Sequence, residues 1–351
     1  MIIYILLALT PFFLEFFFPQ LNRDKIQRKK YFVICGAIML LVMGFRSRFL
    51  GSTDTLNYYN RMAMAIDSIS WNSFCDFAPE RMETGFLIFT YCLSRIFSDP
   101  QWIIIISSLF FIISIFYFVT HNSDDIALSL VIYLTIGGMF FQIQGMRQAL
   151  AMSICLFAYE QAKRHHLYHF ILLVLFASCF HQTAIIFFPV YYLCKLKYNW
   201  KSFVLLYAAT TIIIMSMGKI LSLTNNLWNR EYYSAFSFSG GFIACLIYIL
   251  IFAAAIIYYH NNKLDAQTPL VFILYCGMIC YFARYFGTGA AERISFYFIF
   301  AQVALISKIP LLTKSPREAL VTRMAIIMLA IGLSSYRTYT SDFAPYYFCW
   351  Q

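Results

Sequence analysis

Apolar runs about as long as a membrane is thick recur along the whole chain. A membrane-spanning helix needs about 20 mostly apolar residues, and none of these runs shows the strict alternation of a transmembrane strand. The segments that we identify are 2–18, 31–45, 84–98, 102–120, 126–143, 147–162, 168–194, 202–222, 241–259, 268–286, 293–308 and 320–335. The sequence therefore predicts an all-α, polytopic transmembrane helix bundle of about 11–13 membrane segments.

The composition supports the bilayer as the solvent of this chain. It is 61% hydrophobic and 12% charged, whereas soluble domains are roughly a quarter charged. Its net charge of +10 is typical of basic cytoplasmic loops and argues against nucleic acid as a partner. No linker or internal repeat divides residues 1–351, so we expect a single integral membrane domain.

Basic loops predict the orientation, because Lys and Arg concentrate on the cytoplasmic side. The richest loops are 23–30, 163–164, 195–201 and 308–317, and we place them all in the cytoplasm. Segment 168–194 then begins and ends on the same side, yet it is too short for two passes. It is predicted to form two half-helices that meet near His181, or a re-entrant hairpin. One of the pieces in 84–120 is predicted not to cross fully, and the short segment 84–98 is the favoured one.

Charged side chains collect on the opposite side, in the loop 46–83 and in short turns. A charge inside the membrane costs about 2.5–3.5 kcal/mol on insertion scales, so charges within it or at its edge usually face a cavity and mark function. One arginine guanidinium can bind two phosphate oxygens at the same time. Several arginines around one cavity therefore suggest a pyrophosphate or several carboxylates as the ligand. The candidate arginines are Arg46, Arg48, Arg147, Arg284 and Arg293.

Three groups are candidates for orienting and deprotonating a hydroxyl nucleophile: Asp54, Glu83 and His181. Structural roles stay open for all of these residues. Arg46 and Arg48 fit interfacial anchors, Asp54 fits a helix cap, and Arg147 fits an ion-pair partner of Glu83 or Glu292. His181 fits a hydrogen bond between helices.

No nucleotide or metal motif is present. The chain has no GxGxxG, no Walker A sequence and no DxD pair. His165, His166 and His169 lie in a basic loop without a nearby acid or Cys, which favours a solvated surface over a metal site. We therefore predict no metal and no cofactor, and an ATP-driven pump or a nucleotide-sugar transferase is disfavoured.

Short motifs in the first half of the chain carry a family resemblance. FRSRFLGSTDTLNYY (45–59), METGF (82–86) and the run 144–193 with its Arg-Gln, Phe-His and Pro elements resemble the EpsG-type, Wzy-like polysaccharide polymerases. The resemblance covers residues 40–195 best. One departure is Ser52, an extra residue between Gly51 and the Thr53–Asp54 pair.

This resemblance implies the architecture of a lipid-donor, multi-pass glycosyltransferase in the bacterial inner membrane. It implies polymerisation of O-antigen or exopolysaccharide repeat units at the outer face, facing the periplasm or the cell exterior. Donor and acceptor would both be oligosaccharides linked to undecaprenyl pyrophosphate, with a chain-length regulator protein as a candidate partner. The reaction would be inverting and metal-independent. A ligase of the same architecture and a flippase or transporter of lipid-linked oligosaccharide remain alternatives.

Overall fold

The computed structural model describes residues 2–50, 53–76, 82–136, 138–197, 199–212, 246, 249–257, 268–282, 293–339, 343 and 345–351. Every regular element in these ranges is helical, and strand-like pairing is limited to one bridge between Arg46 and Phe348. The all-α prediction is confirmed for this part of the chain. Arg284, Glu292 and large parts of the predicted segments 202–222 and 241–259 lie outside the described residues.

The α-helices are numbered in chain order. They are α1 (Ile2–Glu15), α2 (Lys25–Gly44), α3 (Thr53–Asp67), α4 (Trp71–Asp76), α5 (Thr84–Ile96), α6 (Trp102–Asn122), α7 (Ile126–Ile136), α8 (Gly138–Gln144), α9 (Met146–Lys163), α10 (Leu167–Phe180), α11 (Val190–Leu193), α12 (Thr268–Phe282), α13 (Phe300–Ile306) and α14 (Pro316–Tyr339). Three 3-10 helices, Gln182–Phe187, Phe296–Phe298 and Ile309–Leu312, are also present, and residues 200–212 and 249–257 are helical as well.

Helix α9 is the centre of the fold, packed against α6 on one side and α10 on another. It is buried on nearly all faces, although its average hydrophobicity is modest. The reason is its row of small residues, including Ala149, Ser153 and Ala158, all fully buried. Small side chains let neighbouring backbones approach closely, which is how helices associate inside a membrane.

Helices α2 and α6 run antiparallel. The Gln101 side-chain amide, just before α6, donates to the carbonyl oxygens of Gly44 and Arg46 at the end of α2, both at 2.9 Å. At the other end of the pair, the rings of Phe32 and Phe116 stack with centroids 4.3 Å apart. Helix α1 packs against α7, and α7 also contacts α14.

Two of the described helices are long and apolar enough to cross a membrane by length and composition. They are α6, with mean hydropathy 2.6, and α14, with 1.7. The pair α7 and α8, bent by 43°, could form a third span. Helix α5 has 13 residues, about 20 Å at 1.5 Å per residue, less than the ~30 Å apolar thickness of a bilayer. Its length agrees with the expectation that 84–98 does not cross fully, and the count of 11–13 segments stays a prediction.

The helix break predicted near His181 is confirmed. Helix α10 ends at Phe180, His181 has extended backbone (φ −155°, ψ 115°), and a 3-10 helix begins at Gln182. Pro189 precedes the short α11, where its missing N–H would prevent a continuous α-helix. The break places the His181 side chain within reach of residues outside α10.

Candidate functional site

The carboxylate of Glu83 joins three segments that are distant in sequence. Its Oε2 lies 2.5 Å from the Arg147 NH1, and its Oε1 lies 3.2 Å from Nδ1 of His181. The backbone N–H of Gln182 also points to Oε1, at 3.4 Å. Only 3% of the Glu83 side chain is exposed. Glu83 immediately precedes α5, yet its carboxylate does not cap that helix and is left for these partners.

Arg147 lies in the first turn of α9, as the sequence predicted. A cation there is disfavoured by the helix dipole, and the Glu83 carboxylate offsets that cost. Its Nε donates to the Tyr58 hydroxyl at 3.1 Å, and the guanidinium lies over the Tyr58 ring. The remaining amino nitrogen, NH2, makes no hydrogen bond to any residue that the structure describes. The Arg147 side chain is 22% exposed, so part of it is accessible to a ligand.

The Glu83 carboxyl is held in its ionised form. Burial raises its pKa, but the interaction with His181 and the positive charge of Arg147 outweigh burial, so the pKa falls from 4.5 to about 2. At neutral pH this group is a fixed negative charge. It can orient His181 and balance Arg147, and it is a poor proton acceptor.

Helix α3 brings Asp54 and Tyr58 to the same cluster. The two residues are four positions apart and share a helix face. The Thr55 hydroxyl donates to the carbonyl oxygen of Ile143 at 2.8 Å, which fixes α3 against α8 just before α9. The Tyr58 ring packs edge-on to Phe86 of α5, with centroids 5.1 Å apart. Asp54 is close enough for its charge to act on Arg147.

The segment that begins at Arg293 forms another wall. The side-chain amide of Gln148, next to Arg147, donates to the backbone carbonyl of Arg293 at 2.6 Å. The hydroxyls of Thr183 and Tyr297 lie 3.1 Å apart, which connects this segment to the break after α10. The Arg293 side chain is exposed, and its charge acts on His181. The contact between Gln148 and the Arg293 backbone places residue 293 next to the start of α9.

The structure does not bring Arg46 and Arg48 into contact with this cluster. Arg46 is 1% exposed, and its guanidinium donates to the Met43 carbonyl and to the Ser108 hydroxyl. It lies where the C-terminal residues join the end of α2, since Ser47 N–H donates to the Tyr347 carbonyl at 2.9 Å. Burial excludes an interfacial anchor role for Arg46.

Arg48 is half-buried and packs between aromatic rings of its own neighbourhood. Its guanidinium lies 4.7 Å from the ring centroid of Tyr59 and 4.9 Å from that of Phe49. Both contacts are of the cation–π type. Arg284, the remaining predicted arginine, lies outside the described residues.

Sequence reasoning missed Tyr58, Gln148 and Tyr297. Tyr58 stands four residues after Asp54 in a helix, and this spacing was a usable signal for a shared face. Gln148 follows Arg147 directly, but adjacent helix positions point in different directions, so its contact with the Arg293 backbone required the fold. Tyr297 carries no sequence signal that separates it from the many interfacial aromatics of this chain.

The described residues contain no group of three or more His, Cys, Asp or Glu side chains placed to hold a metal ion. The cluster instead combines a carboxylate–imidazole pair with the Arg147 guanidinium, and the exposed Arg293 follows on the adjoining segment. Such a pair can move a proton, and such guanidinium groups can hold a phosphate. The arrangement suits the transfer of a group away from a phosphorylated carrier.

The described part of the chain is built from helices, several of them apolar, around a buried charged cluster, and this architecture is of the membrane-protein type. The family model described as EpsG family matches residues 29–348, nearly the whole chain. The chain belongs to the EpsG family. Membership indicates a role of the polysaccharide-polymerase type, and it extends the resemblance well beyond residues 40–195. Comparisons with curated proteins and with solved structures find no match.

Proposed function

We propose that this protein polymerises undecaprenyl-pyrophosphate-linked oligosaccharide repeat units by glycosyl transfer at the outer face of the bacterial inner membrane. The observation that carries the proposal is the convergence of Glu83, Arg147 and His181. These residues come from the starts of α5 and α9 and from the break after α10. Membership of the EpsG family supports polysaccharide polymerisation as the reaction that this cluster serves.

Arg147 and Arg293 are assigned to binding the diphosphate group of the donor. Arg147 offers its NH2 nitrogen while NH1 and Nε are held by Glu83 and Tyr58. A guanidinium fixed in this way needs no reorganisation when charge develops on the leaving group, which is the main source of electrostatic catalysis. Arg293 adds a second, exposed cation.

His181 is assigned as the general base. The Glu83 carboxylate, 3.2 Å from Nδ1, favours the ring tautomer with hydrogen on that atom, which leaves the Nε2 lone pair to accept the proton of the acceptor hydroxyl. The acceptor oxygen bonds to the anomeric carbon as the bond from that carbon to the diphosphate oxygen breaks. The electron pair leaves with undecaprenyl diphosphate, and attack opposite the leaving group inverts the anomeric carbon. Asp54 is assigned to orienting the acceptor sugar.

The test uses purified protein in liposomes that contain undecaprenyl-pyrophosphate-linked repeat units. Two variants, Arg147→Ala and His181→Ala, are compared with Arg164→Ala and His169→Ala, which replace the same residue types at exposed positions beyond the other end of α9. We expect the first pair to lose about 100-fold or more in the rate of chain growth, as for removal of a charge-stabilising group or a general base. We expect the second pair to keep the wild-type rate.

The product pattern separates the alternatives. A ladder of repeat units built on the lipid carrier supports a polymerase. Single transfer to a different acceptor would indicate a ligase, and movement of intact lipid-linked units without release of undecaprenyl diphosphate would indicate a transporter. Normal chain growth by both site variants would refute the assignment of the site.

A further inference from the structure

An open groove of about 510 Å³ lies between α2 and α6, on a side of the molecule that the catalytic proposal does not use. Its floor is apolar and includes the stacked rings of Phe32 and Phe116. Gly36 also lines it, and a Cβ there would lie 3.1 Å from the Phe116 ring, so a larger residue would narrow the groove. Val33 and Ile113, 65% and 51% exposed, form apolar walls.

One end of this groove is basic. Lys25, Arg28 and Lys29, in the first turns of α2, line it there. None of the three makes an ion pair within the part of the chain that the structure describes. The nearby Asp24 is engaged as the cap of α2, its carboxylate accepting the Ile26 N–H at 2.8 Å. Three cations at the start of one helix oppose its dipole, and a bound anion would relieve that repulsion.

This basic end lies away from the Glu83 cluster. It borders Thr120, near the end of α6, and the next residues of α6 lead to Asn122. The Asn122 amide donates to the Glu160 carboxylate at 2.6 Å and accepts from Lys163 at 2.7 Å, at the end of α9. Arg147 is sixteen residues earlier in α9, about 24 Å away at 1.5 Å per residue. A phosphate at the groove mouth therefore cannot be the one that Arg147 holds.

We propose that the groove between α2 and α6 binds an anionic phospholipid of the bilayer. The phosphate headgroup lies among Lys25, Arg28 and Lys29, and one acyl chain follows the apolar floor. The groove runs along α2 from Lys25 to Leu40, about 22 Å, which matches a headgroup plus a chain crossing half of a ~30 Å hydrocarbon core. The charge of the mouth selects an anionic lipid over a zwitterionic one.

Binding is measured by native mass spectrometry of the full chain, delipidated in detergent and titrated with phosphatidylglycerol or with phosphatidylcholine of the same acyl chains. The test variant Arg28→Gln/Lys29→Gln removes one Arg and one Lys from the mouth. The matched control Arg23→Gln/Lys30→Gln removes the same charges from residues of the same region that do not line the groove. We expect a roughly tenfold preference for phosphatidylglycerol that the test variant loses and the control keeps.

A steric variant tests the apolar part independently of charge. Ala37→Trp fills the groove, whereas Ile34→Trp places the same ring on an exposed position of α2 outside it. Loss of phosphatidylglycerol binding in the first variant alone supports the proposal. Equal binding of both lipids, equal loss in both charge variants, or displacement of phosphatidylglycerol by a polyprenyl phosphate that binds more tightly would overturn it.

Discussion

Gly85 of α5 and Cys179 of α10 approach so closely that a side chain at position 85 has no room. A Cβ built there would lie 2.6 Å from the Cys179 carbonyl oxygen and 2.7 Å from its Cβ. Backbone and Cβ atoms cannot move aside as the tip of a flexible side chain can. Gly85 stands two residues after Glu83, and Cys179 two residues before His181, so this contact holds the Glu83–His181 pair together.

Gly85→Ala is therefore expected to separate α5 from α10 and to impair the site more than the fold. Moving reacting groups by about 1 Å can cost on the order of 100-fold in rate. We expect chain growth to fall by that order, with the protein still monodisperse in detergent. The control is Gly332→Ala in α14, where a Cβ meets nothing within 4 Å. Equal activity of both variants would contradict the close-contact argument.

The ionisation of Glu83 predicts a pH dependence of stability. Its pKa is lowered from 4.5 to about 2, so the folded state favours the charged form. A lowered carboxyl pKa contributes stability that is fully present above pH 4.5 and is lost as the pH falls through about 2. The contribution is about 3 kcal/mol, at 1.36 kcal/mol for each pKa unit.

Glu83→Gln removes this contribution and leaves Arg147 partly buried without its carboxylate. We expect a lower thermal midpoint at neutral pH and a flatter stability curve between pH 4.5 and 2, measured by scanning fluorimetry in detergent. The control Glu318→Gln changes an exposed carboxylate at the start of α14 and should do neither. An unchanged midpoint in Glu83→Gln would mean that the ion pair with Arg147 does not stabilise the fold.

Local sequence was enough to predict several of the helices. Long apolar runs predict α6 and α14, and the basic flanks of segment 168–194 predict the break at His181. The run QGMRQALA (144–151) begins with a polar, Gly-containing turn and continues as a helix-forming run, which agrees with the position of Arg147 in the first turn of α9. Its pairing with Glu83 was one of two open alternatives, and the structure supplies that contact.

What the sequence could not separate was which of the predicted arginines contact the Glu83 cluster. Arg46 and Arg48 are two residues apart in one motif, yet Arg46 is buried against the Met43 carbonyl and Ser108 while Arg48 contacts aromatic rings. The contacts of these two side chains cannot be predicted from the residue type, which is arginine in both cases. Each depends on contacts such as that between Ser47 and Tyr347, which lie three hundred residues apart and are set by the tertiary fold alone.

The buried position of Arg46 predicts a loss of stability on truncation. Arg46→Ala removes a large, fully buried side chain at the junction of α2, α6 and the C-terminal residues, which should cost about 3 kcal/mol by comparison with other buried truncations. We expect a lower thermal midpoint with an unchanged KM for the lipid-linked donor. Arg48→Ala, at a half-buried position, should change the midpoint less. A raised KM with an unchanged midpoint would instead place Arg46 on the diphosphate.

A single-atom change at Tyr58 tests whether its hydroxyl orients the Arg147 guanidinium. Tyr58→Phe keeps the ring against Phe86 but removes the hydroxyl that accepts from the Arg147 Nε at 3.1 Å. A buried donor left without a partner costs about 1–3 kcal/mol, and here that loss falls on the orientation of the guanidinium. We expect kcat/KM for the donor to fall about tenfold or more, with a small change in thermal midpoint.

Tyr59→Phe is the matched control, because Tyr59 contacts Arg48 through its ring face and that contact survives loss of the hydroxyl. If both tyrosine variants behave alike, the hydrogen bond between Tyr58 and Arg147 does not position the donor, and Glu83 alone must orient that guanidinium.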